Sequence, residues 1–273
     1  MIKLVLTDID GTILPPGQNA ISHNTRAAVA EALGAGMRVG IATGRALSGA
    51  LPTLDGDTSL IQTALAVNGM QVYLDGELIH EEYLDHGQLA RIAEVVRDVP
   101  HAGLICFGGP QVDEVYLVAG TADDLAPVFP SYASKTQTVD AVPDFPIVKT
   151  NIFVSGGMEA TQALFARLNA EVPGIGLNLP MPGFLNLVPL GYSKATGIDL
   201  LCEAAGIGID EVMVFGDGGN DLEMLEHVPH SVAVANAVPE ALAAARYHIG
   251  PCSDDSVAEV VRALAAGLWP FGE

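Results

Sequence analysis

Four aspartates carry most of the chemistry this sequence can offer. Asp8 and Asp10 stand two positions apart in Asp8-Ile9-Asp10-Gly11-Thr12, and Asp217 and Asp221 lie in Gly216-Asp217-Gly218-Gly219-Asn220-Asp221. In an extended segment, residues two apart point to the same side. Two carboxylates held that close repel each other unless a cation or a shared proton compensates, and a divalent metal is the natural partner. Mg2+ suits such oxygen-rich groups, because it takes a few carboxylates together with waters and substrate phosphate oxygens. Read alone, the first run is also a polar turn in which Gly11 supplies an unusual backbone angle. The second acidic cluster weighs against that reading. Thr43-Gly44-Arg45 and Asn68-Gly69 add further polar groups, and Lys194 adds a cation. Lys194 by itself reads as a solvated lysine in the first turn of a helix, the poorer end for positive charge.

The elements that would position these groups alternate. Ile2 to Thr7, Arg38 to Thr43 and Ala64 to Val67 are short apolar runs with the pattern of strands buried on both faces, and Ser22 caps a helix through about Gly34. Late in the chain come a helix at about Lys194 to Ala205 and strands at Glu211 to Phe215 and Ser231 to Ala235. A last helix has Val257, Val260, Val261 and Leu264 on one stripe. Strands alternating with helices predict an α/β fold, a doubly wound, Rossmann-like parallel sheet. Asp8 and Asp10, Thr43-Gly44-Arg45, Asn68-Gly69, and Asp217 with Asn220-Asp221 each follow a strand, so they converge on the carboxyl edge of that sheet, where ligands bind in such folds.

Residues 84–187 read differently. A helix carrying Leu89, Ile92, Ala93 and Val96 precedes short strands near Gly103 to Phe107 and Glu114 to Val118. After a loop from Ala122 to Pro146 come a strand near Asn151 to Val154, a helix with Leu164, Phe165 and Leu168, and two closing strands. Strands in succession predict an inserted α+β lid, with the core split into 1–83 and 188–273. The segment Asn178 to Asn186, rich in proline and glycine, is expected to form a turn.

Charge narrows the partners. Against 33 acidic residues stand 12 lysines and arginines, a net charge of −21, which argues against nucleic acid and anionic membranes. Yet 49% hydrophobic and 16% charged residues describe a globular chain and not an acidic disordered one. Cys106, Cys202 and Cys252 are far apart, form no C-x-x-C pair and predict neither a disulfide framework nor a zinc cluster. The first residues lack a signal-peptide h-region, and no apolar run reaches about 18 residues. A cytoplasmic protein is expected, and no pattern encodes its oligomeric state. The seven histidines show no metal-ligand spacing.

Asp8-Ile9-Asp10-Gly11-Thr12, Thr43-Gly44-Arg45, Lys194 and Gly216-Asp217-Gly218-Gly219-Asn220-Asp221, in this order, resemble the motifs of the haloacid dehalogenase-like superfamily. The long insertion resembles its type II cap, and the layout is similar to the Cof-like phosphatases of subclass IIB. The resemblance covers nearly the whole chain. It implies an Mg2+-dependent phosphatase acting on a small phosphorylated metabolite, such as a sugar phosphate, through an aspartyl-phosphate. Asp8 would be the nucleophile and Asp10 the acid and base. Thr43, the amide of Gly44, Asn220 and Lys194 would hold the phosphoryl group. Asp8, the backbone carbonyl of Asp10, Asp217 and Asp221 would hold the metal. Two departures stand out: Met70 follows Asn68-Gly69 where relatives carry a small residue, and Ala195 follows the lysine where many have glycine. Arg45 reads as a substrate contact or as the partner of a surface carboxylate, and Asn236 as a site or turn residue. Alternative readings are a phosphomutase or phosphotransferase, and an idle binding protein that keeps the fold.

Overall fold

The structure, a computed structural model, describes residues 1–109 and 111–272. The chain divides into two compact units, Met1–Glu81 with Ser193–Glu273, and Glu82–Tyr192. In the first stretch, β1 is Leu4–Thr7, β2 Arg38–Ala42, β3 Ala64–Ala66, β4 Gln71–Leu74 and β5 Glu77–Glu81. The inserted stretch contributes β6 Ala102–Gly108, β7 Glu114–Ala119, β8 Thr136–Thr138, β9 Thr150–Val154, β10 Ile175–Met181 and β11 Phe184–Pro189. After the return come β12 Val212–Gly216, β13 His230–Val234 and β14 Tyr247–Ile249.

The first unit is an eight-stranded sheet in the order β14-β13-β12-β1-β2-β3-β4-β5. The pairings from β14 across to β3 are parallel, as expected of doubly wound strands. β4 and β5 extend the sheet as an antiparallel hairpin that the apolar pattern did not announce. Its two-residue turn, Asp75-Gly76, has φ of 52° and 83°, the backbone sign that matches strand twist in tight hairpins. Leu4, Val5 and Leu6 of the central β1 are wholly buried, each side chain contributing about 1.5–3 kcal/mol by leaving water. The helix His23–Gly34 is capped by Ser22, whose side chain accepts the N–H of Thr25, and it packs against Ser256–Ala265. The amphipathic stripes of both helices join the core beneath the sheet.

The inserted unit has a six-stranded sheet, β10-β11-β9-β6-β7-β8, antiparallel except for the β7–β8 pair. Its helices His86–Arg97 and Gly157–Glu171 bury Leu89, Ile92 and Val96, and Leu164 and Leu168. Two features differ from the sequence reading. The stretch 122–146 is not one loop, since it contains the helical turns Ala122–Leu125 and Pro130–Ala133 and the strand β8. The unit also extends beyond 84–187. It starts at Glu82, β11 runs on to Pro189, and Tyr192 N–H closes a turn onto Pro189 (2.9 Å).

Candidate active site

β1 delivers Asp8 to the carboxyl edge, where its N–H still pairs with Phe215 of β12 (2.9 Å). The strand does not continue. The carbonyl of Ile9 accepts the N–H groups of Thr12, Ile13 and Leu14, so the chain turns sharply from Ile9 onward. The run is therefore not extended beyond Ile9, and the two carboxylates differ in their surroundings. Asp8 is buried at 6% exposure, whereas the Asp10 side chain is 54% exposed and is gripped by Arg45. Arg45 Nε and one terminal nitrogen each donate to a different Asp10 oxygen at 2.7 Å, and the other terminal nitrogen donates to the Gly49 carbonyl (3.0 Å). Gly11 makes the turn possible, with φ of 86° and no room for a Cβ, which would run into the Asp217 carboxylate. Thr12 Oγ1 donates to Asp217 Oδ1 (2.7 Å), tying the first motif to the last.

Lys194 begins the helix Lys194–Ala205, for which Ser193 is the N-cap, accepting the N–H of Ala195 (3.2 Å). The helix approaches the turn after β3 closely because glycines face each other: a Cβ on Gly197 would lie 2.9 Å from Gly69 Cα. The ammonium is completely buried, far from the solvated lysine of the bland reading. Its Nζ donates to Asp8 Oδ1 (2.7 Å) and Asp221 Oδ1 (2.5 Å). Asp221 Oδ2 in turn accepts the N–H groups of Asp217 and Gly218, both at 2.9 Å. The glycine-rich turn after β12 is thus wrapped around one carboxylate.

Burial drives the electrostatics. It pushes the Asp8 carboxyl well above the usual range, and Asp221 and Asp217 push further, while the Lys194 ammonium opposes them. Burial likewise raises Asp217 to about 6, against the hydrogen bond from Thr12. Burial alone would lower Lys194, but the charges of Asp221 and Asp8 outweigh it and raise its pKa. Among the described residues, Asp8, Asp217 and Asp221 can bring one oxygen each within 4.8 Å of one another. Three carboxylates and one ammonium leave two negative charges in a buried space. A divalent, oxygen-seeking cation such as Mg2+ fits that donor set in both charge and ligand type. The carboxylate of Asp10 lies outside this trio.

The remaining expected residues lie after the neighbouring strands β2, β3 and β12. Thr43 is buried at the end of β2, its N–H on the Leu65 carbonyl (2.8 Å) and its Oγ1 accepting the N–H of Arg45 (3.2 Å). Gly44 follows it, half-buried. Asn220 donates from Nδ2 to Asn68 Oδ1 (3.1 Å). Asn68 sits in a turn where Val67 and Asn68 both adopt positive φ, 51° and 56°, a strained state for a β-branched residue. That turn is fastened by Asn68 N–H to the Thr43 carbonyl (2.9 Å) and Val67 N–H to the Arg45 carbonyl (3.0 Å). Asn236 braces the first motif, donating to the Gly11 carbonyl (2.8 Å) and accepting the Cys252 N–H (2.8 Å). Thr12, Asn68 and Asn236 thus gain supporting roles that the sequence left unassigned. Their one prior signal was position: each is a polar residue shortly after a strand.

The family model of haloacid dehalogenase-like hydrolases matches residues 5–261. The 5-amino-6-(5-phospho-D-ribitylamino)uracil phosphatase YbjI of Escherichia coli (strain K12) is 26% identical over 280 residues, covering 100% of this chain and 99% of its own. YkrA of Bacillus subtilis (strain 168) is 30% identical over 268 residues, covering 96% of this chain and 97% of its own. Among solved structures, the subclass IIB sugar phosphatase BT4131 shares the fold with a TM-score of 0.81 at 23% identity, covering 96% of this chain and 98% of that one.

Proposed function

The chain belongs to the haloacid dehalogenase-like hydrolases and is a phosphoric monoester hydrolase, and from that premise we propose that it cleaves a small phosphorylated metabolite through an aspartyl-phosphate on Asp8. One observation carries this reading: Asp8 is buried with its Oδ1 2.7 Å from Lys194 Nζ, beside Asp217 and Asp221. In the first step an Asp8 oxygen forms a bond to phosphorus as the ester P–O bond breaks, and the departing oxygen takes a proton from Asp10. In the second, water attacks the same phosphorus, Asp10 takes its proton, and the bond to Asp8 breaks to release inorganic phosphate. Lys194 holds negative charge on Asp8 and the transferring group, and Thr43, the Gly44 amide and Asn220 orient phosphoryl oxygens. Asp8, the Asp10 carbonyl, Asp217 and Asp221 would hold Mg2+, which when bound offsets charge between the phosphate and the carboxylates.

The inserted unit takes the role of the type II cap in substrate choice. Among the described residues no helix is long and apolar enough to cross a membrane, and the free Cys106, Cys202 and Cys252 are all buried. Together with the charge of −21, these features support a cytoplasmic enzyme whose partner is a small phosphate ester and not a nucleic acid. Release of inorganic phosphate from p-nitrophenyl phosphate and a panel of metabolite esters, with Mg2+ and with EDTA, tests the reading. Magnesium-dependent turnover that vanishes in Asp8→Asn is expected. Full activity of that variant, or metal-independent turnover, sinks it.

A further inference from the structure

The turn that follows β3 is built at a backbone cost. Val67, Asn68 and Gly69 take φ of 51°, 56° and 91° in succession, so three residues in a row are left-handed. Asparagine tolerates that region, but a valine there is a clear outlier. Such conformations persist only where the surroundings over-determine them, and they gather at functional sites. The surroundings here are specific. Val67 N–H donates to the Arg45 carbonyl (3.0 Å) and Asn68 N–H to the Thr43 carbonyl (2.9 Å), so the turn grips the residues on either side of Gly44. Gly69 comes so close to the start of the helix Lys194–Ala205 that a Cβ on it would lie 2.7 Å from the Ser193 carbonyl.

The Asn68 side chain supplies a further link. It is buried, and its Oδ1 accepts from Asn220 Nδ2 (3.1 Å). A glycine at position 68 would meet the backbone demand more easily, so the amide is explained by what its side chain holds, which is Asn220. The terminal torsion of an asparagine is soft, and half a turn about it puts an acceptor where a donor stood. In Asn220 that choice is fixed from both ends. Its Nδ2 meets an acceptor on Asn68, and its Oδ1 lies over Gly218, where a Cβ would be 2.9 Å away. One Nδ2 hydrogen is directed at Asn68, and the amide has a second to offer.

We propose that Asn68 is a positioning residue for phosphoryl transfer, acting through Asn220 and the Thr43-Gly44 peptide, an inference that rests on the phosphomonoesterase reading. Its Oδ1 keeps the second Asn220 hydrogen available to a phosphoryl oxygen, and its N–H keeps the Thr43 carbonyl, and with it the Gly44 amide, in one orientation. Without Asn68 the Asn220 amide is free to turn its carbonyl oxygen toward the phosphoryl group, where lone pairs repel. Donors fixed in advance count most where negative charge grows in the transition state, so the loss falls on kcat more than on KM.

A double-mutant cycle in the full chain tests the inference, read by turnover of p-nitrophenyl phosphate and by calorimetric binding of inorganic phosphate and orthovanadate. Vanadate takes the five-coordinate geometry of the transition state, whereas phosphate resembles the ground state. Asn68→Gly keeps the left-handed backbone and deletes the acceptor. It is expected to lower kcat and to weaken vanadate binding about tenfold, with KM and phosphate binding changed less than about twofold. In the Asn220→Ala background the same substitution should cost less than about twofold, since the amide it orients is gone. Asn68→Ser, too short to reach Asn220, carries the same cycle if the glycine variant does not fold. Equal losses in both backgrounds, equal losses on phosphate and vanadate, or no loss at all would assign Asn68 to structure alone. Turnover with such additive losses keeps the hydrolase and removes the positioning role. Vanadate binding that couples Asn68 to Asn220 in a chain without turnover keeps the positioning role and removes the hydrolase, and a chain with neither turnover nor vanadate binding removes both.

Discussion

Arg45 holds both oxygens of Asp10 at 2.7 Å, a fork-to-fork pair that fixes the direction of the proposed proton donor. Arg45→Gln is expected to lower kcat about tenfold or more, with KM changed far less, because orientation is lost and binding is not. The pair is largely exposed, so unfolding free energy should move by no more than about 0.5–1 kcal/mol. Lysine in its place restores charge but not the fork and should recover only part of the rate. Asp217 makes a second prediction at this scale. Its pKa in the folded metal-free chain, about 6, stands above the ordinary 3.8, so folding favours the protonated form. That stabilisation is fully present below about pH 4 and is lost as pH rises through 6, at most about 3 kcal/mol in all. Metal-free Asp217→Asn should therefore melt with the parent near pH 3.5 and several degrees above it at pH 7.5, with Mg2+ narrowing the gap by stabilising the parent. Identical melting curves at both pH values would refute the assignment of a buried, repelled carboxylate. The residue types of this site were legible from spacing, because two acidic clusters after buried strands have little else to do. Their partners were not: Thr12 and Asp217, or Arg45 and Asp10, are joined by the fold, and nothing local in the sequence records such a contact.

Elements were readable where burial imposes a period. Lys194–Ala205 lies where the sequence placed it, since Ser193 caps it and Gly206, with φ of 64°, ends it. The β4–β5 hairpin was hidden because Glu77, Leu78 and Ile79 of β5 are all exposed, so no apolar run marks the strand. The opposite edge is protected differently. Beyond Ser256–Ala265 the chain lays Trp269 against His230 and Tyr247, with ring centroids 5.2 and 5.9 Å apart, and stacks Phe271 on Tyr247 of the edge strand β14 at 4.1 Å. Aromatic cover of this kind blunts a strand edge that would otherwise invite pairing. Burial, then the nearby Arg246 charge, lowers the pKa of His230, and its Nδ1 is buried without a partner. Folding thus favours the neutral ring. Its contribution is present above about pH 6.5 and is lost as pH falls toward the depressed folded value. Trp269 is the single tryptophan, so its fluorescence reports this contact directly. Quenching on acidification is expected with a midpoint below 6.5, and it should be absent in His230→Gln. A midpoint at or above 6.5 would show that the ring is not desolvated.

On the scale of the whole molecule, the core sheet is assembled from two stretches of chain separated by Glu82–Tyr192. Asp8, Asp10 and Thr43 belong to the first stretch, and Lys194, Asp217 and Asp221 to the second. The alternation of strands and helices made this interruption readable, while the edges of the insertion depended on hydrogen bonds at Leu84 and Tyr192 that no local pattern encodes. β1 lies at the centre of the sheet between β2 and β12, with Leu4 opposite Arg38 on one side and Val212 on the other. A ribosome therefore releases one flank of the central strand about 200 residues before it makes the strand that pairs there, a wait of roughly 10–40 s at ordinary elongation rates. Pairing across such a separation is slow to nucleate once both partners exist. Ribosome-bound chains stalled before β12 emerges should be cleaved readily by protease within residues 1–81, and chains released past β14 by a C-terminal linker should resist. Early resistance would mean that the first stretch finds a stable state alone. Translation order makes the strand of the proposed nucleophile the most exposed edge in the newborn chain, so the centre of the finished enzyme is also the place where a chaperone has most to cover.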